Sequence, residues 1–333
     1  MKDFVGVNGV ITPQRLAELS QRKDGPALLY LASHWGAIGL TGWLMYLTSG
    51  TWWCVPLFML QGVLLNYLYA PVHECDHHTA FKTNWLNVWV ARASGFLNFN
   101  PSEHHRWSHY THHRNTQNWE KDTELERPPF KSVSDFAVYM SGFTLIKYKL
   151  FGIAQHAFLG SDEWYMTPTQ RAKVVNAARW HVAGYVLMAA SAAVFQSWWV
   201  LYYWWGPFVL MRWTYMLQGG AEHTFLTHEP NTLLNTRTFR TNAFMRWVNW
   251  NMTYHTVHHT FPSVPFFRLP ELHREVEKVL GYELPGGSYL ALHWSLFKHL
   301  GTGKTELDLC DENTAALVAD GKLQSTAPQA ASA

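Results

Sequence analysis

Long uncharged stretches divide the chain. Residues 25–73 and 180–211 contain no Asp, Glu, Lys or Arg over 49 and 32 positions. A membrane-spanning helix needs about 20 mainly apolar residues, so each stretch predicts two spans. The four predicted spans are residues 28–48, 52–70, 180–196 and 198–217. Buried helical hairpins in a soluble protein are the alternative interpretation, but the longer stretch greatly exceeds what a buried core helix requires.

The distribution of positive charge predicts the topology. Two hairpins place the N-terminus and residues 71–179 and 218–333 on one side of the membrane. The connections on the other side carry no charge, and every Lys and Arg except Arg212 lies outside the spans. The positive-inside rule makes the charged side cytoplasmic, in a bacterial inner membrane or the endoplasmic reticulum. Arg212, about one turn from the end of the fourth span, is a candidate substrate-binding residue.

These patterns predict an all-α integral membrane protein with four transmembrane helices in two hairpins and a cytoplasmic helical cap. Residues 1–300 form the membrane domain, with the cap drawn from residues 71–179 and 218–300. Segments 85–99 and 136–148 are too short or too amphipathic to span, and we expect them to lie at the interface. Residues 301–333 lack a strong apolar period and are predicted to form a flexible tail.

Overall charge and cysteine content exclude some functions. The formal net charge is only +2, so no global field favours binding to nucleic acid. The three cysteines are too few and too scattered for a disulfide framework. They also cannot supply the four thiolates that an iron–sulfur cluster usually needs.

Histidines are concentrated in motifs on the predicted cytoplasmic side. The motifs are H-E-C-D-H-H at 73–78, H-Y-T-H-H at 109–113, A-E-H-T-F around His223 and N-M-T-Y-H-T-V-H-H at 251–259. Within each of the motifs at 73–78, 109–113 and 251–259, spacings of three and four place histidines on one face of a helix. Neutral imidazoles around a metal avoid the repulsion that protonated neighbours would suffer. Eight or nine ligands are too many for one ion, so two metals are implied. Imidazole suits Fe, Zn, Cu and Ni, and spacing does not choose between them.

The motifs resemble the three histidine boxes of the membrane fatty-acid desaturase and hydroxylase superfamily. The resemblance covers residues from about 30 to 280, including the order of spans and boxes. It implies a non-haem di-iron centre with O2 as co-substrate. The implied ligands are His73, His77, His109, His112, His113, His223, His255, His258 and His259. His78, adjacent to the first box, is a tenth candidate.

Polar residues beside the boxes are candidates to orient the ligands. Asp76, Asp122, Glu222 and Asn251 could accept imidazole N–H groups and so fix the orientation of the rings. His104 and His105 precede the second box, and we expect them to lie beside the ligands or in solvent.

The resemblance implies an oxidoreductase that removes hydrogen from unactivated C–H bonds of a fatty acyl chain or related lipid. The chain shows no dinucleotide fingerprint and no haem motif, so electrons must come from a partner such as ferredoxin or cytochrome b5 with an NAD(P)H reductase. A hydroxylase or ketolase acting on a carotenoid, an alkane or another amphiphilic molecule is the alternative. A zinc-binding membrane transporter or sensor is a third hypothesis, but the spans offer few ionisable groups for transport.

Overall fold

A computed structural model describes residues 9–125 and 127–323, and helices make up most of this part of the chain. Its helices are α1 Pro13–Leu19, α2 Asp24–Leu47, α3 Cys54–Asn66, α4 Tyr69–Asp76, α5 Asn84–Leu97, α6 Ser102–Asn115, α7 Val133–Met140, α8 Phe143–Phe158, α9 Pro168–Val194, α10 Gly206–Leu210, α11 Arg212–Gly219, α12 Thr232–Asn235, α13 Ala243–Val248, α14 His255–Thr260, α15 Leu269–Leu280, α16 Tyr289–Leu300 and α17 Glu306–Ala319. A π-helical segment, Leu201–Trp205, leads into α10, and single 3₁₀ turns precede α14 and α15. Two-residue strands β1 Thr238–Phe239 and β2 Gly286–Gly287 pair in parallel. The predicted all-α class is therefore confirmed for the described residues.

Helices occupy all four predicted spans, with different boundaries. The second predicted span continues through α4 to Asp76, and α9 begins at Pro168, where Thr167 and Gln170 form a capping box. One helical segment of the described chain, Cys54–Asp76, has the length and apolar composition needed to cross a membrane, and 61% of its most apolar window is buried within the protein. The four-span arrangement therefore remains a prediction.

A close helix contact and a buried polar network join α3 to the helices after α9. A Cβ on Gly62 would lie 2.3 Å from the carbonyl oxygen of Pro207, so the two backbones approach as closely as only glycine allows. The amide of Asn66 donates to the carbonyl oxygens of Gly62 and Phe208 at 2.8 and 2.9 Å. Arg212 donates to Asn66 Oδ1 at 3.0 Å. These contacts fix α4, and hence the first histidine motif, relative to α11.

Of the two segments predicted to be interfacial helices, one is a single helix and the other is divided between two helices. Segment 85–99 corresponds to α5, which lies against α4 and presents Trp85 and Trp89 outward. Segment 136–148 is not one helix. It divides between α7 and α8 because Gly142 adopts a left-handed conformation, with φ 75°.

The region after residue 300 is more ordered than the sequence predicts. Helix α17 starts with a capping box formed by Thr305 and Asp308. Glu306 is buried and accepts hydrogen bonds from Arg127 at 2.6 and 2.9 Å and from the backbone N–H of Phe130 at 2.9 Å. These contacts revise the prediction of a flexible tail for residues 306–319. The last ten residues of the predicted tail, 324–333, lie outside the described residues.

Candidate metal centre

Four separate segments bring all nine predicted histidines together. The segments are the end of α4, helix α6, the turn after α11, and helix α14. One group has a ring nitrogen from each of five histidines within 4.8 Å of the others, and a second group does the same with three. The group of five is His73, His77, His109, His113 and His258, and the group of three is His112, His223 and His259. His255 lies between the groups, with ring centroids 5.1 Å from His223 and 6.1 Å from His73.

Helical periodicity explains how one segment serves both groups. In α6, His109 and His113 are four residues apart and lie one above the other on one face. His112 lies three residues from His109, on the adjacent edge of that face, and enters the other group. In α14, the neighbours His258 and His259 likewise point into different groups.

Distances between ring nitrogens fit metal coordination. His109 Nε2 lies 2.9 Å from His113 Nε2. His255 Nε2 lies 3.0 Å from His259 Nε2 and 3.2 Å from His223 Nε2. Two nitrogens bound at right angles to one ion, each about 2.1 Å from it, would be about 3.0 Å apart. The imidazoles therefore already have the spacing of ligands that share an ion.

Several buried ring nitrogens in the cluster have no hydrogen-bond partner among the described residues. They are Nε2 of His73, His77 and His112, Nδ1 of His113 and His255, and both nitrogens of His258. Leaving a buried polar atom unpaired costs roughly 1–3 kcal/mol, so an accumulation of such atoms requires an explanation. Coordination of a metal by the Nε2 atoms would satisfy several of them together.

The protonation state of the cluster also suits a metal. Burial, together with the neighbouring imidazoles, lowers the pKa of most of these rings, and it lowers that of His223 to about 3. Among the rings whose pKa falls far below the ordinary range are those of His109, His113, His255, His258 and His259. These rings are therefore neutral at pH 7 and offer lone pairs to a cation.

His112 is the exception, because its ring lies against a carboxylate. Burial alone would lower its pKa, but Asp122 and Glu124 outweigh burial and raise the pKa of His112 to about 9. His112 Nδ1 donates to Asp122 Oδ1 at 2.7 Å. This contact leaves Nε2 facing the group of three. Asp122 therefore contacts one of the nine clustered histidines directly.

Three more carboxylates contact the cluster. Glu74 is fully buried, with Oε1 3.1 Å from His73 Nδ1 and 3.8 Å from His258 Nδ1. Glu124 Oε1 lies 2.7 Å from His109 Nδ1. Of these three, only Glu222 was among the sequence candidates. Its Oε2 lies 3.7 Å from His255 Nε2, and burial raises its pKa to about 8.

Sequence reasoning missed Glu74 and Glu124, although signals for both were present. Glu74 is the second residue of the first box, and Glu124 follows two residues after Asp122 in D-T-E-L. Two further contacts carried no sequence signal. His259 Nδ1 lies 3.2 Å from the hydroxyl oxygen of Thr116, and His223 Nδ1 lies 3.2 Å from the carbonyl oxygen of Asn235.

Two sequence candidates lie away from the cluster because the backbone turns there. His78 has φ 56°, just past the end of α4, and its Nδ1 lies 2.6 Å from Asn84 Oδ1. Asn251 has φ 59° ahead of α14, and its amide donates to the Phe266 carbonyl at 3.3 Å. The structure therefore places neither residue in contact with the nine histidines.

Asp76 supports the cluster through an intermediate residue. Its Oδ2 lies 2.8 Å from His105 Nδ1, and its Oδ1 accepts from Arg106 at 3.4 Å. The ring of His105 stacks on His109, with centroids 5.1 Å apart and planes 11° apart. Asp76 thus contacts the neighbour of a predicted ligand and not the ligand itself, and His105 is buried rather than solvated.

Arg212, the candidate substrate-binding residue, is completely buried. Its guanidinium carbon lies 4.3 Å from the ring centroid of Tyr215. Tyr215 lines a cavity beside α8, so Arg212 lies one layer behind the wall of that cavity.

A cavity of about 530 Å³ lies between the surroundings of the histidine cluster and α8. Glu124 and Glu222 contribute to its wall, and both also contact predicted ligands. Apolar and aromatic side chains supply much of the remaining wall, with polar groups from α6, α8 and the 162–165 loop. Pockets of about 300–1,000 Å³ with few polar groups are typical of small-molecule sites. The cavity therefore connects a candidate metal centre to space for an organic substrate.

Comparisons with known proteins agree with this geometry. Residues 50–288 match the family model described as fatty acid desaturase. Fatty acid conjugase FAC2 A of Calendula officinalis is 25% identical over 310 residues, covering 81% of this chain and 79% of the relative. An endoplasmic reticulum omega-3 fatty acid desaturase of Vigna radiata is 23% identical, covering 71% and 68%. A ferredoxin-dependent sn-1 acyl-lipid omega-3 desaturase of Nostoc is 22% identical, covering 71% and 70%. Because the matched segment spans most of the chain and includes all nine clustered histidines, this protein belongs to the fatty acid desaturase family and is an oxidoreductase of that type.

Proposed function

We propose that this protein binds two iron ions at its nine clustered histidines and uses O2 to introduce a double bond into a fatty acyl chain held in the adjoining cavity. The convergence of nine buried or half-buried imidazoles carries the proposal: eight of them form two groups, and His255 lies between the groups. Nine nitrogen ligands exceed what one ion can bind, whereas two ions account for both groups. Family membership favours iron, since imidazole alone would accept several transition metals.

When bound, the irons would supply O2 activation and the abstraction of hydrogen from an unactivated C–H bond, using two external electrons. The chain's own residues hold and orient the site. Asp122, Glu124 and Glu74 accept ring N–H groups, which fixes which nitrogen of each imidazole is free to bind metal. The carboxylates of Asp122 and Glu124 would offer negative charge that balances part of the charge of two cations in a buried site.

The cavity supports an acyl substrate. Phe99, Leu145 and Ile153 give its wall apolar surface, which favours a hydrocarbon chain. Glu124 and Glu222 belong both to the wall and to the surroundings of the histidines. A chain lying in the cavity would therefore bring a carbon close to the metals.

Surface chemistry supports the four-span membrane arrangement. Large apolar side chains are exposed on all four helical regions predicted to span, examples being Leu29, Trp52, Leu187 and Leu210. Contiguous exposed apolar surface marks an interaction with a membrane or another protein. We propose that these faces contact lipid, that α5 and α8 lie at the interface, and that the metal centre faces the cytoplasm. The named location of the Vigna relative supports an endoplasmic reticulum membrane, and the Nostoc relative supports a bacterial one equally well.

The electron donor is proposed to be a ferredoxin or a cytochrome b5 with an NAD(P)H reductase. Ferredoxin appears in the name of the Nostoc relative. Arg114 and Lys121 are exposed beside the second histidine motif, where an acidic donor could dock.

Product analysis tests the proposal. Protein reconstituted in lipid vesicles with ferredoxin, its reductase and NADPH is given acyl lipids under 18O-labelled O2. We expect an alkene product without incorporated label. An alcohol that carries the label would identify a hydroxylase, and the absence of any oxidised product across acyl lipids would contradict the proposal.

Two variants separate the metal centre from the cavity. His258→Ala should abolish both iron binding and product formation. Gly152→Trp should abolish product formation on long acyl chains but keep the iron, because Gly152 lines the cavity and a Cβ there meets nothing within 4 Å. Full activity of Gly152→Trp would place the substrate elsewhere.

A further inference from the structure

A second cluster of metal-ligand side chains lies on the wall of the cavity, apart from the nine histidines. It consists of His104, His156 and Glu163, whose ligand atoms all lie within 4.8 Å of one another. His104 comes from the first turn of α6, His156 from the last turn of α8, and Glu163 from the loop before α9. Three separate segments therefore supply one group.

The two imidazoles face the same carboxylate oxygen. Glu163 Oε1 lies 2.5 Å from His156 Nε2 and 3.5 Å from His104 Nε2. The centroids of the two rings are 4.8 Å apart. Ligands of one transition ion are typically about 3.0–3.4 Å apart when each lies about 2.1 Å from it, so small side-chain rotations would complete the geometry.

Neighbouring groups hold the carboxylate in place. Ser161 Oγ donates to Glu163 Oε2, the oxygen that does not face the imidazoles. Arg171 donates to the main-chain carbonyl of Glu163 at 2.7 Å and so fixes the loop. Outer contacts of this kind orient ligands in metal sites.

The cluster is separate from the nine-histidine centre. His104 precedes His109 by five residues, which rotates it by about 140° around α6. Its side chain therefore leaves the helix on a different face from that of the predicted iron ligands. The side chains of His104, His156 and Glu163 are 24%, 10% and 17% exposed, and all three line the cavity. An ion can therefore reach them from the cavity.

We propose that His104, His156 and Glu163 form a third metal site, which binds one zinc or similar divalent transition ion. Two imidazoles and one carboxylate are a ligand set found in catalytic zinc sites, which keep a further position open. Here that position faces the cavity, where it would bind an oxygen atom of the molecule that occupies the cavity. This proposal does not depend on which metal the nine histidines hold.

Zinc stoichiometry tests the site. Iron-loaded protein in detergent is incubated with excess Zn²⁺ and desalted, and zinc and iron per chain are then measured by elemental analysis. We expect about one zinc beyond the iron in the wild type. Removing a contact that only orients a ligand weakens metal binding about 10–100-fold, so Glu163→Gln and His104→Asn, which remove ligands, should each lose at least that much zinc affinity.

The matched control is His299→Ala, which removes a histidine that lies 3.6 Å from a single carboxylate, Glu312, outside both clusters. Its zinc content should equal that of the wild type. The proposal is supported if both test variants lose zinc while their iron content and melting temperature stay the same. It is overturned if the wild type retains no extra zinc or if both variants retain it. Loss of iron together with zinc in both variants would also overturn the proposal, because it would show that the three residues stabilise the fold around the iron centre.

Discussion

Replacing Asp122 by Asn should selectively weaken one of the two proposed iron sites. Three donors converge on the carboxylate of Asp122: His112 Nδ1 at 2.7 Å, the N–H of Gln117 at 2.8 Å and the N–H of Glu124 at 2.9 Å. An asparagine offers one acceptor oxygen and an amide that is itself a donor. At least one of the three donors then faces another donor, and the ring of His112 loses its charged partner.

The size of the effect follows from the position of His112. Loss of a residue that orients a metal ligand typically weakens binding 10–100-fold, or about 1.4–2.7 kcal/mol. His112 belongs to the group of three histidines, and the hydrogen bonds that Asp122 accepts in the described part of the chain come from His112, Gln117 and Glu124, not from the group of five. We therefore expect iron to fall from about two to about one per chain after dialysis against a weak chelator.

Iron per chain is measured by elemental analysis, and size exclusion and the melting temperature show whether each variant is folded. Asp311→Asn, which changes an exposed carboxylate on α17, is the matched control and should retain both irons. Iron retention by Asp122→Asn equal to that of the control would refute the orienting role of the carboxylate. Loss of both irons at an unchanged melting temperature would refute the assignment of His112 to one ion alone.

Three further predictions concern packing, charge and metal. Gly62→Ala should destabilise the protein by about 1–3 kcal/mol, because its Cβ would lie 2.3 Å from Pro207 O. The control Gly39→Ala, whose Cβ would meet no described atom within 4 Å, should leave the melting temperature unchanged or raise it slightly. Equal destabilisation by the two substitutions would contradict the close contact at Gly62. Glu275→Gln should lower stability by up to about 1 kcal/mol at neutral pH, since Arg15 donates to Glu275 at 2.5 Å and lowers its pKa. A lowered carboxyl pKa stabilises above the unfolded-state pKa, so the difference in melting temperature should vanish as the pH falls through the folded-state value; a difference that persists in acid would contradict the ion pair. Removing metal with a strong chelator should lower the melting temperature, because buried imidazole nitrogens lose their partners; an unchanged melting temperature would show that no metal had been bound.

The sequence predicted which histidines cluster better than it predicted their surroundings. Spacings of three and four on helices indicate which side chains share a face, and the resemblance to the desaturase histidine boxes implied the full set of nine, including His223, before their distances were known. Their division into two groups depends on how α6 and α14 are placed against each other, and spacing within a segment carries no such information. His78 follows the same local pattern but points away, because a left-handed residue ends the helix there.

Contacts between distant segments were the least predictable features. The pairing of Glu306 with Arg127 orders α17, yet the two residues are 179 positions apart. Glu163 likewise meets His104 only because the loop before α9 returns to α6. Such pairs leave no signal in the local sequence. The uncharged stretches do leave one, and they predicted where the long helices lie.

Metal content per chain tests the central claim most directly. Protein purified in detergent after iron-replete expression should contain about two irons per chain, and His258→Ala should lose iron. Zinc that Glu163→Gln removes would belong to the separate cavity site and leave the claim intact. Protein that contains no iron, but holds stoichiometric zinc even in the Glu163→Gln variant, would contradict an O2-activating di-iron centre at the nine histidines.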